Sequence, residues 1–77
     1  QEVYYLCGNF KPGVTYESLV KQLDTAELSS YTISETTDGE RLVFSSQLNL
    51  NYFRCTIDVD TSDVVKAAVF ESGQMFL

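Results

Sequence analysis

Two cysteines are the residues in this 77-residue chain best suited to chemistry: Cys7 in QEVYYLCGNF and Cys55 in NYFRCTIDVD. There is no histidine. A structural zinc site takes four ligands, mostly Cys and His, and two cysteines alone do not make one. A nucleophilic cysteine needs an adjacent base, usually His. Two readings remain, a disulfide or a pair of buried thiols. Both cysteines fall on segments where they share a face with apolar side chains, so both can point into one core. A bridge here closes a loop of about 49 residues and stabilises by roughly 4 kcal/mol on the chain-entropy account. For so small a domain that is comparable with its whole net stability. The disulfide is therefore the reading taken, and it implies an oxidising, extracytoplasmic compartment: secreted, or the bacterial periplasm.

The other candidates for chemistry are acidic. DVDTSD offers Asp58, Asp60, Ser62 and Asp63 in the spacing that opens a calcium loop. The sixth position is Asp63 where that loop needs glycine, and the twelfth is Val69 where it needs glutamate. The stretch reads as an acidic turn that keeps a strand end soluble. No spacing selects a carboxylate pair for acid–base work, and no phosphate loop, nucleophile elbow or dinucleotide fingerprint is present. The expectation is a protein that is not an enzyme and holds no cofactor or metal.

The net charge is −6, with Lys11, Lys21, Arg41, Arg54 and Lys66 dispersed along the chain. Binding to nucleic acid or to an anionic membrane calls for clustered Lys and Arg, so both partners are disfavoured and a protein partner is expected. No apolar run approaches the roughly 20 residues of a membrane-spanning helix. A chain that starts at Gln1, without Met or a signal-peptide pattern, reads as mature or truncated, its leader or anchor out of view.

The elements that must position these residues are short. Residues 2–7, EVYYLC, are rich in aromatic and β-branched types and read as a strand with Val3, Tyr5 and Cys7 on one face. GNFKPG breaks it. In TYESLVKQLDTAELSS, Tyr16, Leu19, Val20, Leu23 and Ala26 make one helical stripe. Thr15 suits the N-cap, Glu17 suits the positive end of the dipole, and Ser29-Ser30 ends the helix. YTISE is a strand, and Asp38-Gly39 signals a type I′ hairpin. RLVFSS returns with Leu42 and Phe44 inward, and QLNLN turns. YFRCTIDV puts Phe53, Cys55, Ile57 and Val59 on one face and Tyr52, Arg54, Thr56 and Asp58 on the other. DTSD turns again, VVKAAVF is the last strand, ESG breaks it, and QMFL is an edge segment or a tail. The whole of 1–77 reads as a single α+β domain of order β-α-β-β-β-β, one helix packed on an antiparallel sheet of four to five strands.

The chain is rich in aromatics, which supply rigid contact area at recognition surfaces. Tyr5 and Tyr16 read as core. Tyr4, Tyr52 and Arg54, on the strand faces opposite the cysteines, are the expected binding surface.

Two resemblances sharpen the functional expectation. Tyr5-Leu6-Cys7-Gly8, ahead of a loop and one helix, resembles the tyrosine-x-cysteine start of powdery-mildew secreted effectors. Those look like the guanine-specific fungal ribonucleases, and DVVKAAVFESG, from Asp63 to Gly73, loosely resembles the last core strands of that fold. With no histidine, the resemblance implies a relative without ribonuclease chemistry, acting by contact with a host protein. The rival is bacterial. KPGVTYESLVKQL, through Gly13, Thr15, Leu19 and Val20, is similar to the helix start of small outer-membrane assembly lipoproteins and of β-lactamase-inhibitor repeats. YFRCTIDVDTSDVVKAAVF is similar to their final hairpin. Those proteins usually place a helix ahead of the strands, whereas EVYYLC reads as a strand. A periplasmic sensory domain of a membrane-anchored regulator is a third setting, with no motif attached. The reading taken is the secreted, non-catalytic, effector-like binding protein.

Overall fold

The computed structural model describes residues 2–26 and 31–74, the Leu48 side chain excepted. Two helices, α1 (Glu2–Asn9) and α2 (Tyr16–Thr25), precede four strands: β1 (Tyr31–Thr36), β2 (Gly39–Leu48), β3 (Asn51–Asp60) and β4 (Val65–Gln74). The strands form one antiparallel meander in the order β1-β2-β3-β4. The α+β class and the antiparallel sheet are as expected. The first element is not: EVYYLC is a helix, so the order is α-α-β-β-β-β.

Spacing explains the difference. Val3, Cys7 and Phe10 are buried and Leu6 packs against the same core, a pattern of i, i+3, i+4 and i+7. That is the period of a helix face. Tyr5, expected in the core, is 68% exposed, because two residues along a helix is more than half a turn away. Side-chain type favoured a strand; the pattern of burial favours the helix, and burial wins. An isolated helix of eight residues is marginal in water. Tertiary anchors hold α1 in place. Phe10 meets the Phe44 ring edge-on at 6.0 Å, and Cys7 is joined to Cys55 in a disulfide, with Cα atoms 5.8 Å apart.

α2 follows its sequence more closely. Thr15 is the N-cap, with the Ser18 N–H donating to its Oγ1 at 3.2 Å, and Leu19 and Leu23 are buried. The helix stops at Thr25 and Ala26 is already extended; the Ser29-Ser30 ending expected for it lies outside the described residues. Both helices bury their apolar stripes in one cluster with Leu42, Phe44, Cys55, Ile57 and Val59. They therefore cover the same face of the sheet, and no described helix covers the other.

Turns fix the register. Thr36 pairs with Gly39, so the β1–β2 loop is Thr37-Asp38 and the type I′ assignment to Asp38-Gly39 is off by one residue. Gly39 has φ +147°, and a Cβ there would meet the Val59 carbonyl oxygen. Gly39 pairs with Asp60 as well as Thr36, and this three-strand corner admits only glycine. At the next turn Leu48 pairs with Asn51, leaving Asn49-Leu50 at the tip, with Asn49 at φ 58°. In the last, Asp60 Oδ1 accepts from the Ser62 N–H at 2.8 Å and the Val64 N–H at 3.3 Å, and Asp63 takes φ 62°. β4 then runs on through the expected Glu71-Ser72-Gly73 break to Gln74, and the rest of QMFL lies outside the described residues.

Candidate functional site

The three residues expected to form one binding surface sit on two sides of the molecule. Tyr52 and Arg54 are neighbours on the open face. The Arg54 guanidinium lies 5.6 Å from the Tyr52 ring centroid, and its Nη2 donates to Glu71 Oε2 at 3.3 Å. Tyr4 belongs to α1, which covers the opposite face, and its ring meets Phe70 edge-on at 5.2 Å. The expected grouping assumed strand alternation through residues 2–7, and the helix removes it.

The open face carries a ladder of cross-strand pairs. Arg41 Nε donates to Asp58 Oδ1 at 2.7 Å, and Arg54 pairs with Glu71. The Asp58 carboxylate, through its hydrogen bond and its charge, raises the Arg41 pKa further above the usual guanidinium value. These pairs are half-exposed, so solvent screening leaves each only a small contribution to stability. Asp58 is thereby engaged with Arg41, and Asp60 with backbone N–H groups of its turn. Among the described residues, no three His, Cys, Asp or Glu side chains converge as a metal-ligand group.

A different feature stands out on the helix side. Between α1 and β4 runs an open groove of about 380 Å³, lined by Tyr4, Tyr5, Cys7, Gly8, Asn9, Ala68 and Phe70. A second groove shares Cys7, Gly8 and Ala68 with it and continues to Phe10, Lys11, Pro12, Lys66 and Ala67. Tyr4 and Tyr5 are 56% and 68% exposed, with their rings edge-on at 5.6 Å. Two large aromatics left in solvent beside a concave apolar surface are what a contact surface looks like. The disulfide forms part of the groove wall through Cys7, so the bond that holds α1 to the sheet also holds the groove in shape.

The rim of the groove is a sheet edge. β4 pairs with β3 on one side only. Its start is covered on the other side. Gly13 N–H donates to the Val65 carbonyl at 2.9 Å, Val65 N–H to the Val14 carbonyl at 2.8 Å, and Tyr16 N–H to the Asp63 carbonyl at 2.8 Å. Val59 pairs with Val65 and Asp58 with Ala67, which makes Lys66 the extra residue of a β-bulge. A bulge and a lysine are both devices that blunt an edge. Beyond them, Ala67 to Gln74 shows no backbone partner other than β3 among the described residues.

The sequence carried one signal for this site. If Val3, Leu6, Cys7 and Phe10 are inward on a helix, Tyr4 and Gly8 fall together on its flank and Tyr5 faces away from the core. Nothing in the sequence marked which edge of the sheet would be left open. Compared with known proteins, the chain matches no protein family, no curated protein and no solved structure.

Proposed function

We propose that this chain is a disulfide-stapled, extracytoplasmic binding domain that works by protein–protein contact and not by catalysis. The observation that carries the reading is the pair of exposed tyrosines, Tyr4 and Tyr5, beside the apolar groove that α1 forms with β4. Support for the compartment comes from the Cys7–Cys55 disulfide, a bond that persists in oxidising surroundings. No described helix is long and apolar enough to cross a membrane.

Two settings suit such a domain: a secreted effector that contacts a host protein, and a bacterial envelope domain of the assembly-lipoprotein or inhibitor kind. One observation favours the second. The envelope proteins place a helix ahead of their strands, and both helices here precede the sheet.

Site-specific photo-crosslinking in the native producer tests the contact reading. A benzophenone side chain at position 5 is expected to give a discrete protein adduct, and one at position 56, on the open face, none. Adducts from position 56 alone, or from neither, would sink the assignment of the groove. Alkylation of the undenatured and denatured secreted protein checks the compartment: two labels added before reduction would refute it.

A further inference from the structure

We infer that the groove receives an extended segment of a partner protein, which adds as a fifth strand along Ala67–Gln74 and places an acidic end against Lys11 and Lys66. The inference rests on the contact reading above and specifies what is bound.

Three observations carry it. First, the open part of the β4 edge includes the residues that line the groove, Ala67, Ala68 and Phe70. The Gly13–Tyr16 segment and the Lys66 bulge close the start of β4, and the remaining length offers unpaired backbone beside Ala68 and Phe70. A strand added there lies about 4.8 Å beyond β4, and its alternate side chains point to the helix side, into the groove. The other edge, β1, is shorter, six residues against ten, and Ile33 is its one exposed large apolar residue.

Second, Gly8 sits in α1 on the groove wall with nothing within 4 Å of the position a Cβ would take. Gly8 is the penultimate residue of α1, where glycine still lowers helix propensity relative to alanine, and neither a close neighbour nor a positive φ in the free chain calls for it. Close approach of another chain does.

Third, charge singles out one end. In a chain of net charge −6, Arg41 and Arg54 are engaged by carboxylates, whereas Lys11, Lys21 and Lys66 join no salt bridge among the described residues, and of these Lys11 and Lys66 line the same end of the groove. That local excess of positive charge complements an acidic terminus or an Asp or Glu on the incoming strand.

The test uses the oxidised full chain and a synthetic ten-residue peptide of alternating valine and threonine ending in two aspartates. A control peptide ends in two lysines. Amide exchange read by NMR is expected to slow at alternate positions of Ala67–Gln74 on adding the acidic peptide, with the control at least fivefold weaker. A Cβ at residue 8 meets nothing within 4 Å, and the longer side chain of Gly8→Leu takes up part of the groove that Gly8 lines, so its melting point is expected to hold while affinity falls at least tenfold. Lys66→Glu is expected to abolish the preference for the acidic peptide. Several results would overturn the inference: no binding, protection on β1 instead, or undiminished affinity in Gly8→Leu. Protection of β4 that appears without peptide and grows with protein concentration would make a second copy of the chain the occupant, which also overturns it. A crosslinked partner at position 5 whose binding leaves the β4 amides exchanging freely would sink strand addition and leave the contact reading standing.

Discussion

The Tyr52 ring lies on Gly73 of the neighbouring strand, so closely that a Cβ on residue 73 would meet the ring carbons and hydroxyl at 2.8–2.9 Å. A glycine inside a strand loses packing and backbone entropy, and an aromatic laid across it restores contact. The same ring carries the Arg54 guanidinium. Gly73→Ala is expected to push the Tyr52 ring off and release Arg54, at a cost of up to about 1 kcal/mol. Because the ring end is free to swing, the fold survives. Loss of the ring-current shift on the Arg54 side-chain protons checks this; unchanged shifts would mean that the ring does not rest on Gly73.

Cys7→Ser and Cys55→Ser should each destabilise by about 3–4 kcal/mol, and the double variant should cost little more, because one bond is lost in all three. Denaturant melts of the four proteins measure it. The far-UV helix signal should fall with either change, since α1 is too short to persist undocked.

Gly39→Ala should destabilise by about 2–3 kcal/mol or more, since it combines an unfavourable φ with a clash against the Val59 backbone. Both causes lie in backbone, which has little room to yield. A melting temperature within a degree of the parent's would refute the corner geometry.

Tyr31 Oη donates to Asp24 Oδ1 at 2.7 Å, linking β1 to the end of α2. This hydrogen bond first, then burial and the Asp24 charge, raises the Tyr31 pKa above its ordinary 10.0. Burial, with Glu40 and Asp63 nearby, raises that of Tyr16 too. A raised folded pKa means the folded state holds the proton more tightly. The stabilisation is therefore complete below pH 10 and is lost as pH climbs through the folded values. Urea melts from pH 8 to 11.5 should show stability falling above pH 10, less steeply in Tyr31→Phe. At pH 8 the phenylalanine variant should be slightly weaker, because the exposed hydrogen bond to Asp24 is lost.

Strands, turns and the second helix were legible because each carries its own local pattern: alternation in residues 52–59, an N-cap at Thr15, turn residues at Asp38-Gly39 and DTSD. The disulfide was legible from the absence of histidine and the smallness of the core. The first helix was not, because its residue types favour a strand while only its burial pattern, set by the sheet beneath it, selects a helix. That one inversion moved Tyr5 from core to surface and separated Tyr4 from Tyr52 and Arg54. The groove depends on where an edge strand is left uncovered, which is a property of the assembled sheet and of no single segment. Gly73 is a related case: a strand-breaker in isolation, it continues as strand under a ring contributed from across the ladder.

The Cys7–Cys55 bond also sets how the chain answers to force. Tension applied between the first helix and the end of the last strand passes from residue 7 straight to residue 55 and down the final hairpin. The 48-residue separation between the cysteines, with the second helix and the first hairpin inside it, is shielded from that load. Pulling on the oxidised molecule therefore pays out only the short outer segments. Reduction releases a further length of about 160–170 Å, at about 3.3–3.6 Å per residue. In its oxidised form the chain is a short tether with its interior kept off the line of pull.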